Sequence, residues 1–143
     1  MPAGQVQGPV DPRRPLGRRG EDLALAHFRA LGFKPLARNQ HRRFGEIDLL
    51  MYDGHTLVFA EVKTRHVRKD FSGAQDSARE TLGWPSIAQF KRSRRALRRW
   101  LNEQGSDHPV IGDLRLDVIR VLLDENDNPV KLDHIEAAWE GAF

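Results

Sequence analysis

At 143 residues, with 39% hydrophobic and 30% charged residues, the chain has the size and composition of one globular domain with a single core. Because it contains no cysteine, a disulfide framework and a thiolate metal site are excluded. No apolar run approaches the roughly 18 to 20 residues of a membrane span, and no signal-peptide core is present. We therefore expect a cytoplasmic protein without membrane contact.

The formal net charge is only +3, but the cations are unevenly distributed. No acidic residue lies between Glu80 and Glu103, whereas six lysines and arginines fall between Lys91 and Arg99. Clustered cations gain affinity for nucleic acid by releasing condensed counterions, which predicts a phosphate-bearing partner. A solvated helix face is the alternative that charge alone leaves open.

The N-terminal segment, residues 1–16, carries four prolines and shows no periodicity that could bury a face. We predict that it is a disordered basic tail. The remaining residues, 17–143, contain no internal repeat or second boundary, so they are predicted to form one domain.

A first helix is predicted from about residue 20 to residue 31, ended by Gly32. Its apolar side is formed by Ala24, Leu25, Phe28 and Leu31. Glu21 projects into the middle of this side, where an acid requires an explanation. The ordinary explanation is an acid of the first turn that interacts favourably with the helix dipole and reaches solvent.

Two strands are predicted around the Asp-Gly pair at positions 53 and 54, which is a strong hairpin signal. Asp48 lies in the first strand, and Glu61 and Lys63 lie in the second. Opposed residues of a hairpin share a face. A two-residue loop places Asp48 opposite Phe59, and a four-residue loop places it opposite Glu61, so either puts all three polar residues on one face. A three-residue loop would turn Asp48 to the other face.

The other predicted elements are an extended segment near residues 34–40, a helix from about Ser86 to Glu103, a strand over 114–123 and a last extended segment over 130–135. The apolar face of the second helix is formed by Ile87, Phe90, Leu97 and Leu101. Helices and strands in this order indicate a mixed α/β domain.

The chemistry of the hairpin depends on how its acids are tolerated. Two carboxylates about 5 Å apart repel by about 3 kcal/mol at an effective dielectric near 20, and burial increases the cost. Such a pair persists if one acid is protonated, if a cation lies between them, or if Lys63 and nearby arginines compensate. A hard divalent cation suits an all-oxygen site and would also draw in Glu21. Lys63, on the same face as Glu61, can orient a water or stabilise negative charge on phosphate.

The alternative for the hairpin is a structural ion pair between Glu61 and Lys63 on an exposed strand, with Asp48 reaching solvent. An acid-x-lysine tripeptide by itself favours that alternative, since it is common. The combination is more specific, because an acid on the apolar side of an upstream helix precedes Asp48 and the Glu-Val-Lys run.

This combination resembles the PD-(D/E)xK, or restriction-endonuclease-like, nucleases. The segments GRRGEDLALAHFRALGF, GEIDLL, LVFAEVKTR and RLDVIRV are more closely similar to the UPF0102, or YraN-like, family of predicted endonucleases, which is distantly similar to Holliday junction resolvases. The resemblance implies a mixed central sheet flanked by helices. It implies Mg²⁺ or Mn²⁺ as cofactor, Lys63 as the catalytic lysine and, as metal ligands with a catalytic role, Glu21, Asp48 and Glu61. Because resolvase-like nucleases often cut two strands as dimers, it also implies a homodimer.

We therefore predict a metal-dependent endonuclease that hydrolyses DNA, with structured or branched DNA as the substrate. The side chains predicted to bind the nucleic acid are Arg65, Lys91, Arg92, Arg95 and Arg99. The alternative is a nucleic-acid-binding protein that keeps the nuclease fold without cleaving, and RNA is the alternative substrate.

Outside this motif, the residues favour structural roles. Glu46 is predicted to face solvent, with a ligand role as the alternative. Asp117 alternates with Arg115 in an apolar strand, which predicts a partly buried ion pair. The six histidines show no zinc spacing and are expected at the surface. Core packing is predicted for the three tryptophans, Trp84, Trp100 and Trp139, with base stacking as the alternative.

Overall fold

The computed structural model describes residues 13–42, 45–68, 86–107 and 109–138. Within these ranges the chain forms two α-helices, a short 3-10 helix and five strands. The helices are α1 (Arg13–Ala30), α2 (Ile87–Gln104) and the 3-10 helix Gly105–Asp107. The strands are β1 (Lys34–Arg42), β2 (Gly45–Tyr52), β3 (Thr56–His66), β4 (Asp113–Leu123) and β5 (Pro129–Ile135).

The five strands form one sheet in the order β1-β2-β3-β4-β5. Strands β3 and β4 are parallel, and every other neighbouring pair is antiparallel. The mixed α/β class predicted from the sequence is confirmed, and the arrangement is consistent with a restriction-endonuclease-like fold. No helix in the described part of the chain combines the length and apolar character needed to cross a membrane.

The two helices cover opposite faces of the sheet. Successive residues of a strand point to opposite faces, so neighbouring residues of one strand contact different helices. Ala24 and Phe28 of α1 pack with Leu49 and Met51 of β2. Leu97 and Trp100 of α2 pack with the intervening Leu50 of β2 and with Phe59 of β3. Burying each large apolar side chain contributes roughly 1.5–3 kcal/mol, so both layers stabilise the domain.

Helix α1 begins earlier than predicted. It starts at Arg13 rather than near residue 20, so residues 13–16, which the sequence assigned to a disordered tail, are helical. Pro15 falls in the first turn, where a backbone N–H has no intrahelical acceptor and proline is therefore tolerated. The rest of the predicted tail, residues 1–12, lies outside the described residues. The predicted end is nearly correct, but Leu31 follows the helix and is 52% exposed instead of lying on its apolar side.

Helix α2 agrees with its prediction to within one residue at each end. Ser86 caps it through a capping box in which the Ser86 hydroxyl accepts from the Gln89 backbone N–H and the Gln89 side chain accepts from the Ser86 N–H. Leu97 is buried as predicted, and core packing of Trp100 is confirmed. Ile87, predicted for the apolar face, is 63% exposed because it lies in the first turn. The other two tryptophans lie outside the described residues.

Glycine is required where α1 crosses β3. A Cβ atom built at Gly20 would lie 1.7 Å from Oγ1 of Thr64 and 2.8 Å from Cγ2 of Thr64. The branched Thr64 side chain has little freedom to turn away, since its χ1 rotamers are restricted. The close approach of α1 to β3 therefore depends on the missing side chain at position 20.

We expect the Gly20→Ala substitution to lower the free energy of unfolding by about 1–3 kcal/mol, the usual cost of overpacking a filled interior. Gly17→Ala is the matched control on the same helix, because a Cβ there meets nothing within 4 Å. That control is expected to stabilise the protein by about 0.5–1 kcal/mol through helix propensity. Urea denaturation of both variants measures the difference, and equal stability of the two would contradict the close approach.

Candidate functional site

The hairpin between β2 and β3 sets the face on which the candidate residues lie. Tyr52 pairs with Leu57, so the loop has four residues, which is one of the two even lengths considered. The Asp53 carboxylate accepts hydrogen bonds from the backbone N–H groups of His55 at 2.9 Å and Thr56 at 2.7 Å, which closes the loop. The pairing continues to Leu49 opposite Ala60, so the next pair in the same register is Asp48 and Glu61. The predicted parity is confirmed.

Asp48, Glu61 and Lys63 line one cleft of about 330 Å³ between the sheet and α2. These three side chains form the floor of the cleft, and Phe59 and Val62 contribute to it. The wall comes from the first turns of α2 and consists of Gln89, Arg92 and Ser93. The sequence predicted the floor, but of the wall it predicted only Arg92. Wall and floor together present carboxylate, ammonium, guanidinium, amide and hydroxyl groups to one volume.

Asp48 is held in a defined orientation. The residue is half-buried, and its Oδ2 accepts a hydrogen bond from the backbone N–H of Val62 at 3.0 Å. A side-chain carboxylate of β2 thereby satisfies a backbone donor of β3 next to Glu61. Its charge is positioned on the floor by the backbone of the neighbouring strand, which is the kind of pre-organisation that a binding site requires.

Glu61 and Lys63 form an ion pair on the floor of the cleft. Nζ of Lys63 lies 3.1 Å from Oε1 of Glu61, and the two side chains are 30% and 14% exposed, respectively. The alternative that the sequence left open placed this pair on an exposed strand with Asp48 in solvent. All three side chains instead share a partly enclosed cleft with α2.

The floor suits a divalent cation in its donor set. Mg²⁺ binds hard oxygen ligands and commonly uses one or two carboxylates together with water and substrate phosphate, which the Asp48 and Glu61 oxygens match. Among the described residues, no group of three His, Cys, Asp or Glu side chains is placed to hold a metal ion. The residues present thus fit a site of two carboxylates completed by non-protein ligands.

Glu21 is not brought to the cleft. It lies half-buried on α1, which packs on the face of the sheet opposite to α2, and it is not among the residues that line the cleft. Its predicted roles as metal ligand and catalytic residue stay predictions. Glu46 is on β2, but its side chain lies outside the described residues.

The charges that line the cleft balance. Asp48 and Glu61 contribute two negative charges, and Lys63 and Arg92 contribute two positive charges. A divalent cation on the floor would make the site positive by two units. A phosphodiester, which carries one negative charge, would then be attracted to it.

The remaining residues predicted to bind nucleic acid lie outside the cleft. Lys91, Arg95 and Arg99 are exposed on α2, and Arg65 is exposed on β3 two residues beyond Lys63. A second groove of about 480 Å³ is lined by Arg95, Arg98, Arg99 and Asn102. The helix therefore carries arginines from the wall of the cleft along its solvent face, as the charge distribution predicted.

The sequence did not anticipate a buried polar network on the other face of the sheet. Asp117 is completely buried, and its carboxylate accepts from Arg115 at 2.9 and 3.0 Å, from His134 Nε2 at 2.7 Å and from the Ala137 N–H at 3.0 Å. His134 Nδ1 lies 2.9 Å from Nε2 of His27. The predicted arginine pair of Asp117 is confirmed. The expectation of surface histidines is wrong for His134, whose side chain is 10% exposed.

The network lowers the pKa values of two of its members, Asp117 and His27. Burial raises the pKa of Asp117, but hydrogen bonds from His134, Arg115 and the Ala137 N–H outweigh it, so the pKa lies below its ordinary value. Burial, followed by repulsion from His134, lowers the pKa of His27. Asp117 is thus held as a carboxylate, and its signal in the sequence is an acid that breaks the apolar alternation of β4.

The sequence of this chain is similar to those of a family of bacterial proteins. The model of the uncharacterised protein family UPF0102 matches residues 20–121. A UPF0102 protein of Anaeromyxobacter dehalogenans is 37% identical over 139 residues, which cover 97% of this chain and 94% of that protein. A UPF0102 protein of Frankia casuarinae is 42% identical over 126 residues, covering 87% and 95%, respectively. A UPF0102 protein of Pseudomonas aeruginosa is 36% identical over 127 residues, covering 89% and 94%. The family match spans every residue that lines the cleft.

Proposed function

The chain belongs to the UPF0102 family, and on that premise we propose that it is a metal-dependent endonuclease that hydrolyses phosphodiester bonds of DNA. Structured or branched DNA is the proposed substrate class. The observation that carries the proposal is the convergence of Asp48, Glu61 and Lys63 on one cleft, where Asp48 is oriented by the Val62 N–H. A solvated surface would not require two carboxylates of neighbouring strands to share a partly enclosed volume with a lysine.

Asp48 and Glu61 would hold Mg²⁺ or Mn²⁺, with water and substrate oxygens as the remaining ligands. When bound, such an ion acts as a Lewis acid on phosphoryl oxygens and lowers the pKa of a coordinated water. Lys63 lies on the same floor, where its ammonium group can orient the attacking water and stabilise the negative charge that develops on phosphate. Its 3.1 Å contact with Glu61 fixes the amine beside one of the two carboxylates.

The arginines outside the cleft would hold the rest of the substrate. Arg92 links the cleft to the exposed side of α2, where Lys91, Arg95 and Arg99 lie. Contacts of this kind neutralise phosphates and give affinity without choosing a base sequence. DNA binding would therefore weaken steeply as the salt concentration rises, and it would discriminate between DNA molecules by their shape rather than by their base sequence. The homodimer that the resemblance implies stays a prediction.

The test is cleavage of fluorescently labelled four-way junction and linear duplex DNA by the full chain, in Mn²⁺, in Mg²⁺ and in EDTA. We expect cleavage in the two metal ions and none in EDTA. The Lys63→Met variant, purified in the same way, is expected to cleave about 10²–10³-fold more slowly, the usual cost of removing one donor that stabilises developing negative charge. This variant also separates the activity from that of a contaminating nuclease.

The outcomes decide between the two functions that the sequence left open. Equal cleavage by the wild type and Lys63→Met would remove the proposed site. Salt-sensitive DNA binding without cleavage in either metal ion would instead identify a non-catalytic binding protein. Cleavage of RNA of the same secondary structure, with DNA left intact, would correct the substrate class.

A further inference from the structure

We propose that the wall of the cleft, Gln89, Arg92 and Ser93, is an anion-binding subsite in which the Gln89 amide donates to a phosphodiester oxygen. This inference rests on the proposed function, because it names what the wall would contact in the same substrate. It goes beyond the general arginine contacts of α2 by assigning a neutral side chain to substrate binding.

The helix directs these three side chains to one side. They are spaced i, i+3 and i+4, and residues at that spacing are neighbours on a helix surface. All three line the volume whose floor holds Asp48 and Glu61. The apolar side of α2 that contacts the sheet further along contains Ala96 and Trp100, so the wall continues the buried side beyond the point where the core ends.

The capping box orients the amide of Gln89. Its Oε1 accepts a hydrogen bond from the Ser86 backbone N–H at 3.1 Å, and the Gln89 N–H donates to Oγ of Ser86 at 3.1 Å. A glutamine side chain has one carbonyl acceptor and two N–H donors. Since the capping box engages the acceptor, the group that remains to serve the cleft is the donor.

The chemistry of the wall selects the class of ligand. Arg92 is a permanent cation and carries only donors, and Ser93 carries a hydroxyl that donates or accepts. Together with the amide N–H groups of Gln89 they complement an oxygen-rich anion. The floor, by contrast, offers two carboxylates suited to a cation. A phosphodiester would suit both sides, because the wall donors can bind its oxygens and a cation held by the floor carboxylates would attract its negative charge.

The capping box also provides the experiment. Glutamate is a preferred capping-box residue at this helix position, so Gln89→Glu keeps the cap and replaces the amide donor by a repelling carboxylate. Gln89→Met removes the donor without adding charge, and Ser86→Ala matches its loss of a capping interaction while leaving the amide in place. Thermal unfolding of each variant establishes that it is folded.

Binding is measured by fluorescence anisotropy of labelled four-way junction DNA with each full-length variant in Ca²⁺, a hard cation that takes oxygen ligands, and again in EDTA. We expect Gln89→Glu to weaken binding by about tenfold to 100-fold, as for loss of a hydrogen bond to a charged group. Gln89→Met is expected to weaken it less, and Ser86→Ala to leave it within about twofold. In an NMR spectrum, the signal of the Gln89 side-chain amide is identified by its loss in Gln89→Met. We expect this signal to shift on addition of inorganic phosphate.

Three results would each overturn the subsite. The first is wild-type affinity in both Gln89 variants, and the second is an equal loss of affinity in the Gln89 and Ser86 variants. The third is absence of DNA binding by the wild type. Failure of the proposed function is distinguishable from these results. If the wild type binds but does not cleave in Mn²⁺, and Gln89→Glu binds weakly, the subsite stands without the nuclease. If the wild type cleaves and Gln89→Glu binds equally well, the nuclease stands without the subsite.

Discussion

Replacing Asp117 by alanine is expected to lower the free energy of unfolding by about 3–5 kcal/mol, the range for removing one partner of a buried charged pair. The carboxylate is completely buried and satisfies Arg115, His134 and the Ala137 N–H at once. Alanine would leave all three donors without this acceptor, and only Arg115, which is 21% exposed and lies 3.9 Å from Glu136, keeps access to another. The loss exceeds that of an ordinary hydrogen bond because one of the donors is the Arg115 guanidinium.

Urea denaturation of the Asp117→Ala variant measures this loss. The matched control is Asp22→Ala, because Asp22 also forms an arginine pair, with Arg38, but its side chain is 49% exposed. An exposed pair contributes about 0–1 kcal/mol, so the control should change stability little. A loss below about 1 kcal/mol at Asp117 would show that water or rearrangement satisfies the stranded donors, contrary to the network described above.

The hairpin between β2 and β3 could be predicted because its determinants are local, whereas the parallel pairing of β3 with β4 joins distant segments and was not predicted. Side chains alternate between the two faces of a strand, so Asp48 and Leu50 point to one face and Leu49 points to the other. The Asp-Gly pair at 53–54 identifies the turn. Helix ends were harder to predict. Leu31 and Ile87 continue the apolar periodicity of their helices, yet the structure leaves both exposed, at 52% and 63%. Periodicity identifies a face but does not determine where along the helix the sheet stops covering it.

The candidate site divides in the same way. Asp48, Glu61 and Lys63 could be placed together because they belong to one hairpin, whose parity leaves few choices. Gln89 and Ser93 could not, because their contact with the floor depends on the angle at which α2 lies over the sheet. Prediction was therefore successful within a supersecondary unit and failed where distant elements meet.

The histidine network shows the limit most clearly. His134 lies 107 residues from His27 along the chain, and their 2.9 Å contact depends on the pairing of β5 with β4 and on α1 packing against the same face. Composition and spacing contain no signal for such a contact. The usable signal was Asp117 in an apolar strand, because a buried acid must have partners even when the sequence does not identify them.

We expect Asp48→Asn to abolish metal binding on the floor of the cleft and to slow cleavage by about 10³-fold or more, since the lost charge stabilisation amounts to several kcal/mol. The substitution is chosen because the amide oxygen can accept from the Val62 N–H as Oδ2 does at 3.0 Å. Orientation and shape are thereby kept, and only the charge beside Glu61 is removed. Asp48→Ala would also remove the acceptor of a backbone donor and so confuse chemistry with folding.

Thermal unfolding with and without Mn²⁺ distinguishes a metal ligand from a structural acid at this position. A ligand that binds only the folded state stabilises it by about 2.7 kcal/mol at 100 times its dissociation constant, so Mn²⁺ should raise the wild-type melting temperature and leave that of Asp48→Asn unchanged. In EDTA the variant should still unfold in one cooperative transition, because the Val62 N–H keeps an acceptor. Lower stability of the variant in EDTA, with the same gain from Mn²⁺ as the wild type, would make Asp48 a structural acid and would leave the cleft without its metal site.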